Sequence, residues 1–321
     1  MSCDHPDACH PHHGHAHGLS HGLSGNGFSP ERLDRAMVIG IGLNAAFVIV
    51  EVACGLWAGS LALLADAGHN AGDVVGLLLA WGAAHLARRP PAGRYTWGFR
   101  RSTIYAALVN AMLLLAACGV IFWEAAQRLW TPEPVGGAGM IAVAAVGVVI
   151  NTITALLFMR GSGADANVRG AFLHMAADAA VSAGVVVAGI AILLTGQSVI
   201  DPLVSILITL AIVAGTWTLF RESLDLALDA VPRGIDPGRI SAALTAIPGV
   251  TAMHDLHVWG ASTSEVSLTV HLVVPDAGDR ERVLAAASAD LRGRFHIAHT
   301  TIQIEDDATG RDCPQRPDET L

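Results

Sequence analysis

The chain has 321 residues, 52% of them hydrophobic and only 15% charged, with a mean hydropathy of +0.49. Soluble domains run at about 25% charged, so the composition excludes an ordinary soluble protein and reads as an integral membrane protein. The formal net charge of -9 says little alone, because more than half of the acids fall after the last apolar run, and no nucleic-acid footprint is visible.

The chain opens with CDHPDACHPHHGHAHGLSHG, which holds seven histidines and two cysteines before residue 22. A His-rich tract containing Gly and Pro cannot build a core, and residues 1–30 read as a disordered, metal-gathering tail. No apolar h-region follows the first residues, so no cleavable signal peptide is expected. Apolar runs of about 20 residues then predict six transmembrane helices at Met37 to Ala58, Leu61 to Leu86, Ile104 to Ala126, Met140 to Met159, Gly170 to Leu194 and Pro202 to Leu219.

The chain has no lysine, so orientation rests on arginine alone. Arg32 and Arg35 precede the first helix, Arg88, Arg89, Arg94, Arg100 and Arg101 fill the link between the second and third, Arg160 and Arg169 flank the link between the fourth and fifth, and Arg221 follows the sixth. The alternate links carry only Arg128. The positive-inside rule therefore places both termini in the cytoplasm, and the expected location is the inner (cytoplasmic) membrane. Cys54 and Cys118 read as small apolar packing residues, and Cys3, Cys9 and Cys313 as reduced thiols in cytoplasmic tails.

After the sixth helix the composition turns soluble. PGRISAALTAIPGV from Pro237 reads as a helix, the stretches from Thr251 and Ser264 as strands, DRERVLAAASADLRGRF from Asp279 as a helix and HTTIQIED from His299 as a strand. This αββαβ order over residues 222–308 predicts a small α+β domain with helices on one face of a three-stranded sheet. Residues 309–321 read as a second disordered tail.

The chemistry lies inside the apolar runs. LLADAGHNAGDVVGLLLAW carries Asp66, His69 and Asp73 where an aspartate at a helix centre costs about 2.5 to 3.5 kcal/mol. HNAGD (His69 to Asp73) recurs as HMAAD (His174 to Asp178) in the fifth helix. In each copy the i, i+4 pair lies on one helix face, so two packed helices present two imidazoles and two carboxylates, a donor set that suits tetrahedral zinc. Two aspartates and two neutral histidines balance a dication, whereas two bare carboxylates in hydrocarbon need protons for relief, so metal and protons compete for the same four residues. A hydrogen-bonded structural pair is the alternative, and repetition in two helices weighs against it. Asp66 has Ala171 as its counterpart in the second copy, which leaves it either a supporting or entrance role or a helix-terminus role. Glu51 and Asn44 read as cross-helix hydrogen-bonding residues, Glu124 and Arg128 as an outer-end pair, and Arg88 to Arg101 as topology determinants near headgroups.

The six-helix plan, LLADAGHNAGD, RYTWGFRR, HMAADA, the Ile200 to Pro202 IDP triplet and TIQIED together resemble the cation diffusion facilitator family, most of all its zinc-transporting members, over about residues 35 to 306. The resemblance implies that His69, Asp73, His174 and Asp178 are transport ligands, that the protein is a homodimer exporting zinc against protons, and that the C-terminal domain is ferredoxin-like and binds regulatory zinc. It also implies cytoplasmic ligands at His254 and His271, with Glu305 in the carboxylate position. Gln303 stands where some members have histidine, and His299 is the candidate substitute. His254 and His257, three apart on a strand, are expected on opposite faces and so not on one ion; surface histidines without metal are the alternative for this set.

The expected fold is thus a six-helix transmembrane bundle plus a cytoplasmic ferredoxin-like αββαβ domain, and the expected activity is Zn(2+)/H(+) antiport, with cadmium or cobalt as further substrates. A membrane zinc hydrolase would need H-E-x-x-H or G-x-S-x-G, and neither occurs. A metal sensor would need an output domain, and none is recognisable. A Walker A motif is excluded by the lack of lysine.

Overall fold

The computed structural model describes residues 30–159 and 166–315, with side chains at 30–41, 43, 157–159, 166–174 and 311 outside the description. The His-rich tract, with Cys3 and Cys9, lies outside the described residues. The chain divides into two compact units, one built from residues 30–85 and 106–221 and the other from 86–105 and 222–315.

Six long helices run in chain order: α1 (Pro30–Ala58), α2 (Leu61–Ala87), α3 (Ser102–Trp130), α4 (Gly137–Met159), α5 (Ala166–Thr195) and α6 (Ile200–Ala227). Among the described residues, four stretches are long and apolar enough to cross a membrane: Ser102–Trp130, Gly137–Leu156, Met175–Thr195 and Ile200–Ala227. α1 is apolar over Asn44–Ala58, and α2 falls outside this set, carrying Asp66, His69, Asn70 and Asp73 in its first half. The helices leave Leu56, Trp57, Val120, Trp123 and Leu194 exposed. A soluble monomer rarely shows so continuous an apolar surface, and the protein is a multi-pass membrane protein. Inside, small residues such as Ala62, Ala65, Ala144 and Ala188 are fully or nearly fully buried, which brings helix backbones close where no water drives association.

A buried polar clamp fixes the start of α2. Asp201, in the first turn of α6, accepts hydrogen bonds from Ser60 Oγ (2.5 Å), Leu61 N (2.7 Å) and Ala62 N (3.3 Å). These N–H groups have no intrahelical acceptor, and a carboxylate there also meets the positive end of the helix dipole. Arg128 braces the same corner through Gly59 O (2.6 Å), Glu124 (3.3 Å) and Glu133 (3.3 Å). The expected Glu124–Arg128 pair is thus one part of a larger knot.

The second unit contains α7 (Pro237–Thr245), β1 (Ala252–Gly260), β2 (Val266–Val273), α8 (Arg280–Arg294), β3 (His299–Glu305) and α9 (Asp307–Asp312). The sheet has order β1-β2-β3, with β1 and β2 antiparallel and β2 and β3 parallel. Ile240 and Leu244 of α7 and Val283, Ala287 and Leu291 of α8 close one core with Leu256, Val258, Leu268, Val270 and Leu272, because alternate strand positions face the helices. The stretch from 309, expected to be disordered, instead continues α9 as far as residue 312. Asp306 caps that helix, accepting from Thr309 N and Thr309 Oγ1 at 2.8 Å.

In the α2–α3 segment, Arg100 pairs with Glu265 at 2.5 Å and Arg101 pairs with Asp229. Two of the arginines read as topology determinants therefore also bind acids of the C-terminal domain. Both pairs are exposed, and such pairs contribute little stability.

Candidate metal centres

His69, Asp73 and Asp178 offer ligand atoms that all lie within 4.8 Å of one another. The i, i+4 spacing on α2 puts the His69 and Asp73 side chains on one face, with Nε2 and Oδ2 3.9 Å apart. Asp178, on α5 and almost fully buried, brings Oδ1 to 3.0 Å from the same Nε2. His174 lies on α5 one turn before Asp178, and its side chain is outside the described residues. Tetrahedral zinc with bonds of about 2.0 to 2.1 Å has ligand–ligand edges of about 3.3 to 3.4 Å. The separations of 3.9 and 3.0 Å from His69 Nε2 bracket that edge, and all three ligand atoms lie close enough for one dication to draw them together. Gly72 lets α3 come close beside Asp73: a Cβ there would overlap the Leu114 side chain.

Asp66 does not join this group. It is fully buried one turn away on α2 and accepts from Ser182 Oγ of α5 at 2.8 Å. Glu51, also fully buried, accepts from Asn70 Nδ2 at 2.9 Å. Both carboxylates therefore tie helices together around the His69 neighbourhood, and for Glu51 this is the cross-helix bond the sequence predicts. Asn44 is exposed.

The second group is His254, His271, Glu305 and Cys313, with ligand atoms again within 4.8 Å of one another. Register puts His254, His271 and Gln303 in one row across β1, β2 and β3. Glu305 lies one step further on the same face, opposite Val273. That face is turned away from the Leu268, Val270 and Leu272 core. His271 Nδ1 lies 2.9 Å from Glu305 Oε1, and His254 Nε2 lies 3.3 Å from Glu305 Oε2. Gln303 donates to Glu305 Oε1 at 2.7 Å, so the glutamine in the row orients the carboxylate. The other nitrogen of His271 faces Asp255 Oδ2 at 3.7 Å.

The expectation for His257 had the wrong geometry. A β-bulge separates His254 from His257, which pair with His271 and Thr269 respectively. Asp255 takes a positive φ of 53° there, a conformation that Asp tolerates better than most residues. The extra residue resets the alternation, so both histidines fall on the same face. His257 still stays out of the cluster, exposed and bonded to Asp255 at 3.0 Å. His299 also stands apart: it is exposed and meets the Trp97 ring edge-on at 4.6 Å.

Cys313 is the residue the sequence reading missed. Its Sγ lies 3.7 Å from His271 Nδ1, although the sequence shows only a thiol eight residues beyond Glu305. What brings it back is α9. The Thr309 N–H and hydroxyl hold the Asp306 carboxyl below the usual carboxylate range. This cap is therefore complete above the ordinary aspartate range and is lost as pH falls through the folded value.

Residues 37–226 match the family described as "Cation efflux transmembrane domain", and residues 232–307 match "Cation efflux protein, cytoplasmic domain". The zinc transporter ZitB of Shigella flexneri is 37% identical over 295 residues, covering 91% of this chain and 92% of that protein. The metal cation efflux system protein CzcD of Cupriavidus metallidurans is 37% identical over 273 residues, covering 85% and 86%. A Bacillus subtilis protein named cadmium, cobalt and zinc/H(+)-K(+) antiporter is 30% identical, covering 87% and 91%. A solved structure of the metal-bound C-terminal domain of the CzcD transporter is 37% identical, covers 22% of this chain and 99% of its own, and superposes with a TM-score of 0.21.

Proposed function

The chain belongs to the cation efflux family, the cation diffusion facilitators, and from that membership we propose that it exports zinc from the cytoplasm in exchange for protons. The observation that carries the reading is the His69, Asp73 and Asp178 group within apolar helices. Names of relatives that include zinc transporter and a cadmium, cobalt and zinc antiporter support the substrate class. Selectivity among these borderline metals follows from geometry, with zinc favoured by imidazole and carboxylate donors.

His174 completes the quartet in this reading. Asp66 meets Ser182 and His69 meets Asp178 as α2 and α5 run in opposite directions, and the helix period carries that pattern one further turn, to Asp73 on α2 and position 174 on α5. The six helices all span the bilayer, both termini are cytoplasmic, and the C-terminal domain is ferredoxin-like and supports a homodimer. Parallel pairing of β2 and β3 around α8, with both helices on one face, supports that fold assignment.

The exchange follows from the hydrogen bond between His69 Nε2 and Asp178 Oδ1. The proton shared by these two atoms occupies the direction in which both would point at a cation. Zinc entering from the cytoplasm displaces it, draws in Asp73, and is held by two carboxylates that cancel its charge. After the helices turn the group outward, reprotonation of the same atoms removes the charge balance and releases the ion. Apparent zinc affinity at the loading face should therefore weaken as pH falls, measured as uptake against zinc concentration at stepped external pH with the gradient clamped. An affinity flat from about pH 6 to 8, a range around the unperturbed histidine value, would exclude proton competition at this site.

The direct test is zinc flux into proteoliposomes under an imposed pH gradient. Gradient-dependent uptake is expected. A well-folded protein that moves zinc, cadmium and cobalt no faster than protein-free vesicles would overturn the reading.

The second group serves as a regulatory centre in this proposal. Glu305→Gln keeps the size of the side chain but removes its charge, and should weaken zinc binding by the C-terminal domain by about 10-fold to 100-fold, read by competition with a chelating dye. Unchanged binding would remove Glu305 from the site.

A further inference from the structure

We propose that Cys313 is a zinc ligand, so that the C-terminal centre is a site of two histidines, one glutamate and one cysteine, closed within one protomer by helix α9. This deepens the regulatory reading and rests on it. The first observation is a pair of buried polar atoms left unsatisfied. His254 is 6% exposed and Glu305 2%, yet His254 Nε2 and Glu305 Oε2 have no hydrogen-bond partner among the described residues. The two atoms lie only 3.3 Å apart. An unsatisfied buried polar pair costs stability unless something else meets it. A zinc tetrahedron with bonds of about 2.0 Å has edges of about 3.3 Å, the separation these two atoms already have.

The second observation is the thiol. A sulfur bound at about 2.3 Å and a nitrogen at about 2.05 Å in the same tetrahedron stand about 3.5 to 3.6 Å apart, and Cys313 Sγ lies 3.7 Å from His271 Nδ1. The approach is built into the fold. Asp306 caps α9 through Thr309, and Gly310 then lets the helix lie against β2: a Cβ at Gly310 would sit 2.8 Å from Val273 Cγ2 and 3.4 Å from Glu305 Oε2. Cys313 follows directly after the last turn of α9. His271 supplies Nδ1 while its Nε2 faces Asp255, the carboxylate–histidine pairing common behind metal ligands.

Charge supports the same composition. One thiolate, one carboxylate and two neutral imidazoles balance a dication on a largely buried face, and the thiol proton passes to solvent on binding. A thiolate donor selects zinc, cadmium or another thiophilic ion over magnesium or manganese. The C-terminal centre would thus differ in chemistry from the all-nitrogen-and-oxygen group among the membrane helices, and would answer to soft metals.

The test uses the full-length protein in detergent, with Cys3→Ser and Cys9→Ser in the background to silence the N-terminal thiols. Cobalt(II) is the probe, because only a bound thiolate gives an intense charge-transfer band in the near ultraviolet. The band is expected before, and lost after, Cys313→Ser, with the visible cobalt bands retained. In parallel, zinc should slow alkylation of Cys313, read by peptide mass spectrometry, by at least about tenfold. That protection should vanish in His254→Ala and Gly310→Leu and survive in Asp178→Ala. A cobalt spectrum unaffected by Cys313→Ser, alongside zinc binding that still depends on His254, would overturn the cysteine assignment and leave the regulatory centre standing. Domain zinc binding indifferent to His254 would overturn both.

Discussion

Zinc uptake by Asp178→Ala proteoliposomes is expected to fall by about 100-fold or more, to the level of protein-free vesicles, while the protein still elutes as a single species in detergent. The magnitude follows from removing a proposed direct ligand, since loss of even a supporting residue around a metal costs about 10-fold to 100-fold. Stability should survive because His69 can stand as a neutral imidazole once its partner is gone, so the change leaves no uncompensated buried charge. Asp178→Asn sharpens the result: it preserves shape and a hydrogen bond but not the charge that neutralises the cation. It should be as inactive as the alanine variant. Asp73→Ala should also be inactive, although Asp73 is the more exposed of the two aspartates. Uptake that persisted in both aspartate variants would remove this group as the transport site.

Asp201→Ala should lower thermal stability substantially without touching a metal ligand. Three donors converge on its carboxylate within the buried corner at the start of α2. An N-cap contributes about 1 to 2 kcal/mol, and a buried donor left without an acceptor costs about 1 to 3 kcal/mol. Together they predict a loss of about 2 to 5 kcal/mol, read as a lowered unfolding midpoint in a detergent thermal scan. Asp201→Asn retains one acceptor oxygen and should recover part of the loss. An unchanged midpoint in Asp201→Ala would mean that water accepts the hydrogen bonds of the corner without it. Because α2 also carries His69 and Asp73, a looser start of that helix should reduce transport as well.

Both predictions concern buried acids, and only one of the two roles is legible in the chain. Asp178 announces itself: His174 and Asp178 repeat the spacing of His69 and Asp73, and the helical period converts that spacing into a shared face without knowledge of the fold. The cost of ionisable groups in hydrocarbon supplies the reason to look. The same local physics gives the apolar runs and the αββαβ order. Asp201 belongs to an IDP triplet with no such logic, since its partners lie about 140 residues away.

The C-terminal centre divides in the same manner. His254, His271 and Glu305 are singled out by residue type and resemblance, and strand register brings them together. The bulge at Asp255 is invisible to a period of two, so the parity argument about His257 fails there. His299 is separated from the group by its contact with Trp97, a residue of the α2–α3 segment. Cys313 returns only because a capped short helix lies against β2 through a glycine. Composition, apolar length, arginine placement and helical spacing thus determined the membrane class and the candidate intramembrane His/Asp group, because each is a local property of the chain. Tertiary structure alone decided the Asp201 clamp, the bulge and the approach of Cys313, because each depends on a backbone irregularity or on a contact between distant segments.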